Sequence, residues 1–181
     1  MPIPFQVLRR DKLGGHSREA FFVDQVRWPD GTESSYGVFS QPDAALIVPV
    51  SAAGTTFLVQ QWRHSWEDDA WEFPAGRLEE GEEPLSSAGR ELEEEAGLRA
   101  VRWDSLGTAR ATAISTMRFH LFLARDLSSV PRRPEIYEQD MVIREIPFEQ
   151  AIAEAVAGTI QHAASIAALF RAARKLEESK K

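Results

Sequence analysis

The stretch GRLEEGEEPLSSAGRELEEEAGL, from Gly76 to Leu98, decides how this chain is read. Its second half predicts a helix: Pro84 suits a first helical turn, where its missing N–H costs nothing, and Gly97 suits the end. Leu85, Ala88, Leu92 and Ala96 recur at helical spacing and form an apolar stripe able to dock on a core. Glu91, Glu94 and Glu95 stand at i, i+3 and i+4 beside that stripe, whereas Glu93 points away from it. Like charges so close repel and weaken a helix. Hard oxygen ligands in such a cluster suit Mg²⁺ or Mn²⁺, whose charge relieves the repulsion. An acidic run alone is most often a solvated face, but the stripe puts these three glutamates at the rim of a packed surface.

Gly76, Glu82, Arg90, Glu91, Leu92, Glu94, Glu95, Gly97 and Leu98 fill every fixed position of the pattern G-x5-E-x7-R-E-U-x-E-E-x-G-U, where U is aliphatic. In this the chain resembles the Nudix hydrolase superfamily. Upstream, Gln61-Trp62-Arg63 followed by Trp71-Glu72-Phe73-Pro74-Ala75-Gly76 is similar to the QYR…WE-x-PAG run of the ADP-ribose pyrophosphatase branch. Downstream, Gly158-Thr159-Ile160 with Ala163 to Leu169 is similar to that branch's C-terminal helix.

The resemblance implies an α+β chain with the Nudix fold, an α/β/α sandwich around a mixed sheet. It also implies an N-terminal antiparallel sheet over residues 1–42, exchanged with a partner subunit in a homodimer, ahead of a Nudix domain over 43–181.

For the site, the helical face makes Glu91 and Glu95 the leading metal ligands, with Glu94 joining directly or through water. The resemblance adds the backbone carbonyl of Ala75. Arg90 orients the glutamates, because a guanidinium makes bidentate bonds to carboxylate and offsets acidic repulsion. The family's loop glutamate is Glu82, a structural position. The resembling branch places its general base on a loop before a late strand, here Pro134 to Asp140, where Glu138 is the candidate and Glu135 and Asp140 are substitutes. Glu94, Glu95, Arg90 and Glu138 thus form the expected catalytic set. Arg63 is placed to hold a phosphate, Glu72 to accept from a ribose hydroxyl, and Trp28 to stack on adenine, with ordinary edge packing as the alternative for Trp28. One departure stands out. Ala111 to Met117 occupies the place of a Pro-Gly-rich loop with an acidic residue, which leaves room for sugars other than the second ribose of ADP-ribose.

Composition narrows the rest. The 181 residues suit one domain with a sizeable core, and 43% hydrophobic with 27% charged residues are ordinary for a soluble globular protein. A net charge of −7 argues against a nucleic-acid surface, for which Arg132-Arg133 and Lys180-Lys181 are too short. No apolar run approaches the ~20 residues of a membrane span. The Met1-Pro2-Ile3-Pro4-Phe5 start lacks a basic and apolar leader, so the cytoplasm is the expected compartment. Zero cysteines exclude disulfides, thiolate metal sites and a cysteine nucleophile. His16, His64, His120 and His162 are not at metal-ligand spacing, and no serine has a nucleophile-elbow context.

Strands are expected at 19–28 and 34–40 around the turn signal Pro29-Asp30-Gly31, then at 44–50, 56–62, 102–108, 118–124 and 141–146. Helices follow at 148–157 and 162–176. The expected activity is Mg²⁺-dependent hydrolysis of ADP-ribose or a related nucleoside diphosphate sugar to a nucleoside monophosphate and a sugar phosphate. The alternatives are a Nudix hydrolase of another compound, such as GDP-mannose or FAD, and a catalytically silent module that binds nucleotide sugars. The silent module would be expected to lack some of the motif's glutamates, and all are present here.

Overall fold

The structure is a computed structural model and describes residues 4–136 and 138–179. The chain divides into two compact units, one reaching to Asp43 and including Arg110–Arg118, the other built from Ala44–Ala109 and the residues from Phe119 onward.

The first unit is an antiparallel sheet in the order β1 (Gln6–His16), β2 (Glu19–Arg27), β3 (Glu33–Ser40). The β2–β3 turn forms where Pro29-Asp30-Gly31 predicted it. Gly31 takes φ +87° and donates to the Trp28 carbonyl at 2.9 Å, while the Asp30 carboxylate caps the Thr32 N–H at 2.9 Å. Arg10 grips the buried Asp24 with two bonds, of 2.6 and 2.7 Å, tying β1 to β2. β1 itself was not expected: nearly all its residues are exposed, so no apolar alternation marked it as a strand. Residues 110–118 strap onto this unit. Phe39 donates to Ile114 O at 2.7 Å, Thr116 donates to Phe39 O at 2.9 Å, and the Gln41 side chain reaches Ser115 Oγ at 2.9 Å.

The second unit contains β4 (Ala44–Pro49), β5 (Thr55–Arg63), β6 (Asp68–Glu72), β7 (Ala75–Arg77), α1 (Pro84–Ala96), β8 (from Leu98), β9 (to Ser129), β10 (Val142–Pro147), α2 (Phe148–Ala157) and α3 (Ala163–Glu178). One sheet runs β7-β4-β9-β8, with β4 antiparallel to β7 and parallel to β9; the other runs β10-β5-β6 and is antiparallel. All six residues of β4 are buried, as a strand covered on both faces must be. Ala45 and Ile47 pack with Ala88, Leu92 and Ala96 of α1, whereas Leu46 and Val48 pack with Ala164, Ala168 and Leu169 of α3. Fully burying a side chain such as Ile47 or Leu46 contributes about 2 kcal/mol. This is the expected α/β/α sandwich around a mixed sheet. No helix among the described residues is long and apolar enough to cross a membrane.

Helix α1 spans the expected residues, with Pro84 in its first turn and Gly97 in the left-handed conformation (φ 64°) at its end, donating its N–H back to Glu93 O. One expectation fails. Leu85, on the apolar face by the wheel, is 47% exposed, because the first turn precedes the docked part of the helix, which begins at Ser87.

Candidate active site

Helix α1 lays Glu91 and Glu95 on its docked face, at 5% and 3% exposure, deeper than the rim position expected of them. Burial pushes the Glu91 carboxyl up to about 7, partly opposed by the neighbouring Arg90, and Glu94 and Glu138 push it further. Burial also drives Glu95 well above the usual carboxylate range, with repulsion from Glu91 next in size and Glu138 adding to it. Glu138 is itself buried and raised, first by burial and then by Glu135 and Glu94. Three buried carboxylates, Glu91, Glu95 and Glu138, and the half-buried Glu94 therefore lie near enough for repulsion among them to add to the effect of burial.

Arg90 supplies part of that charge. Its guanidinium takes Glu82 with two 3.0 Å bonds, Glu91 Oε1 at 2.7 Å and Glu94 Oε2 at 3.0 Å, and it reaches the Arg77 carbonyl at 3.2 Å. One planar fork thus fixes three glutamates. The Arg90 contact holds the Glu82 carboxyl below its ordinary value. Glu93 pairs with Arg99 away from the cluster.

The turn after β6 closes the site. Ala75 donates its N–H to Glu95 Oε2 at 2.8 Å, and a Cβ built on Gly76 would lie 1.9 Å from Glu91 Oε1. Glycine is therefore required at position 76 by the nearness of a carboxylate rather than by its own torsion angles. The donor set of hard carboxylate oxygens, crowded and short of cations, fits Mg²⁺ or Mn²⁺. Among the described residues no three acidic or imidazole groups already converge on one point, since Glu91 is turned to Arg90 and Glu95 to the Ala75 N–H.

Arg63 and Glu72, expected at substrate, hold each other. Nε and Nη2 of Arg63 meet the two oxygens of Glu72 at 2.6 Å each, and Glu72 is 1% exposed. Arg63 also lies near enough to lower the Glu95 carboxyl. The sequence reading missed the support behind this pair. His162, at the start of α3, sets Nδ1 3.2 Å from Glu72 Oε2 and 2.9 Å from Ser165 Oγ, and Ser165 Oγ accepts the Phe73 N–H at 3.0 Å. A lone pair on Nδ1 would face the carboxylate, so the network assigns the proton to Nδ1. Burial lowers the His162 pKa, against the pull of Glu72. No local signal joins residues ninety positions apart.

Trp28 belongs to the first unit, at the β2–β3 turn. Its Nε1 donates to Ser34 Oγ at 2.8 Å, its ring meets Phe5 edge-on at 5.2 Å, and it is 37% exposed. In the same unit Arg110, Thr112, Ala113 and Ser115 line an open depression of about 520 Å³, formed by the segment that departs from the expected Pro-Gly-rich loop.

The NUDIX domain matches residues 40–169. The chain is 35% identical over 170 residues to an ADP-ribose pyrophosphatase of Mycobacterium tuberculosis (strain ATCC 25618 / H37Rv), covering 92% of this chain and 82% of the relative. It is 35% identical over 134 residues to an ADP-ribose pyrophosphatase of Bacillus subtilis (strain 168), covering 72% of each. A methanol dehydrogenase activator of Bacillus methanolicus is 30% identical over 132 residues, 72% of this chain and 71% of the relative. In fold, the chain matches the crystal structure of an ADP compounds hydrolase with a TM-score of 0.85 over 98% of this chain and 96% of that one, at 18% identity. The chain belongs to the Nudix family and is a Nudix hydrolase related to the ADP-ribose pyrophosphatases.

Proposed function

We propose that this enzyme hydrolyses the pyrophosphate bond of ADP-ribose or a related nucleoside diphosphate sugar, releasing a nucleoside monophosphate and a sugar phosphate. The observation that carries this reading is the gathering of buried Glu91, Glu95 and Glu138 beside half-buried Glu94, the three buried carboxyls being raised chiefly by burial, with repulsion among the glutamates adding to it. Such a cluster is costly unless a divalent cation completes it. The names of the two 35%-identical relatives support the substrate class.

Glu91, Glu94 and Glu95, with the Ala75 carbonyl, would hold Mg²⁺ or Mn²⁺. The bound ion supplies charge neutralisation at the two phosphates and a lowered pKa for water. Arg90 keeps the three glutamates in one arrangement. Glu138 acts as the base, since burial raises its proton affinity toward the working pH while one carboxylate oxygen stays anchored by the Glu135 N–H at 3.0 Å. Arg63, fixed side-on by Glu72, keeps Nη1 for a phosphate oxygen. In this arrangement Glu72 serves substrate by orienting Arg63.

The test is a panel of nucleoside diphosphate compounds with Mg²⁺ or Mn²⁺, with phosphate read after phosphatase coupling. ADP-ribose or a near relative is expected to turn over fastest, and Glu95→Gln to abolish turnover. Wild-type protein that turns over none of the panel overturns the proposal. We also propose that residues 1–42 exchange with a second copy in a homodimer, supported by Leu13, Val7 and Phe21 standing 67%, 44% and 41% exposed on β1 and β2. A solution mass near 20.3 kDa refutes this.

A further inference from the structure

We propose that Arg132 is a positioning residue that holds Glu138 against the glutamate helix. This rests on the reading of Glu138 as the base. Where α1 ends, the Gly97 carbonyl accepts the Val130 N–H at 2.9 Å, and a Cβ on Gly97 would stand 3.1 Å from Val130 O and 3.6 Å from Arg132 Cγ. The chain leaving β9 is thus pressed against the end of the helix that carries Glu91, Glu94 and Glu95. From that anchor Arg132 reaches across, donating from Nη2 to Glu138 O at 3.1 Å and from Nη1 to Met141 O at 3.2 Å. The two carbonyls bracket one turn, in which Met141 N–H also bonds Glu138 O at 3.0 Å and Glu138 N–H bonds Glu135 O at 2.9 Å. A planar guanidinium gripping both carbonyls sets the turn's direction, which a point donor cannot do.

The burial pattern shows why such a grip is needed. Glu138 is buried, while Glu135, Ile136, Gln139 and Asp140 around it are exposed. Burial and repulsion from Glu135, Glu94, Glu91 and Glu95 disfavour a charged Glu138 here, and the Arg132 charge opposes this. Among the described residues the Arg132 hydrogen bonds go to backbone carbonyls, so it acts on the place of the Glu138 carboxylate, while its charge lowers that carboxyl's proton affinity.

The experiment uses the full chain with Mg²⁺ and ADP-ribose and compares wild type, Arg132→Ala, Glu138→Gln and the double variant. It adds hydrogen exchange at the Met141 and Glu138 amides. Arg132→Ala is expected to lower kcat about tenfold to a hundredfold with KM little changed. It should speed exchange at Met141 and add no further loss in the Glu138→Gln background. Arg132→Lys should recover part of the rate, and it replaces Arg132→Ala if that variant fails to fold. Unchanged kcat or unchanged Met141 exchange in Arg132→Ala overturns the proposal, as does an additive loss in the double variant. If Glu138→Gln turns over like wild type, the base reading falls and this role for Arg132 falls with it. If Glu138→Gln is inactive and Arg132→Ala is not impaired, only the positioning role falls.

Discussion

Replacing Gly76 with alanine separates what the site needs from what the fold needs. The new methyl carbon would sit 1.9 Å from Glu91 Oε1, 2.0 Å from Cδ and 2.3 Å from Oε2, so it lands on the carboxylate group itself. Ordinary contact begins near 3.4 Å, and the carboxylate must retreat by about 1.5 Å. The obstructing atoms are the end of a flexible side chain, so the backbone need not move. The retreat breaks the 2.7 Å bond from Arg90, a charge-assisted contact worth about 1.5–3 kcal/mol. Part of that returns, because Glu91 is raised by burial and gains hydration as it moves outward. The expected stability loss is therefore no more than about 2 kcal/mol. Activity should suffer far more, since misplacing a reacting group by about 1 Å costs on the order of a hundredfold. The assay pairs urea denaturation with phosphatase-coupled turnover of ADP-ribose in Mg²⁺. Gly89→Ala is the control: nothing lies within 4 Å of its Cβ, and it sits inside the same helix, so it should gain up to about 1 kcal/mol and keep full activity. Gly76→Ala with turnover within a few-fold of wild type would refute the reasoning, and so would complete unfolding.

In metal-free protein, the raised Glu91 carboxyl means that the folded state keeps a proton that the unfolded chain has lost. Stability therefore falls as pH climbs from 4.5 to about 7, by at most about 3 kcal/mol from this group, with Glu95 and Glu138 acting in the same direction. Melting temperature against pH, with and without Mg²⁺, checks this, and Mg²⁺ should stabilise more at pH 8 than at pH 5; a flat profile counts against it. Arg90→Lys keeps a positive charge but cannot bond Glu82, Glu91 and Glu94 at once, and kcat should drop about tenfold to a hundredfold. Arg63→Ala strands a buried Glu72 and should cost about 3–5 kcal/mol in denaturant unfolding. Arg63→Met with Glu72→Leu should regain most of that stability without regaining turnover; recovery of both would remove Arg63 from substrate binding.

What the sequence made legible followed local rules. Helix α1 could be bounded from Pro84 and Gly97 because caps and apolar spacing are properties of a dozen neighbouring residues. β4 was readable as a continuous apolar run. β6, with its Asp68-Asp69 start, and the three-residue β7 were not read as strands. β7 carries no strand pattern of its own and pairs with β4 through Leu46↔Ala75. β8 and β9 run beyond their expected ends, β8 back to Leu98 directly after the helix cap and β9 on into the mostly polar residues 125–129, where strand character comes from sheet pairing. The same limit applies to the site. The glutamate stripe was visible within one helix, but the depth of Glu91 and Glu95, the Arg63–Glu72 embrace and its backing by His162 all depend on contacts distant in sequence.

Strand β4 divides its side chains by parity, odd-numbered residues toward α1 and even-numbered toward α3. A deletion that moves the strand back by one residue would exchange the two sets, presenting Leu46 to the space shaped for Ala45 and β-branched Ile47 to the space shaped for Leu46. The acidic helix and the helix bracing Glu72 would lose their seating together. Length changes should therefore be accommodated in the connecting loops, while this six-residue ruler keeps its count.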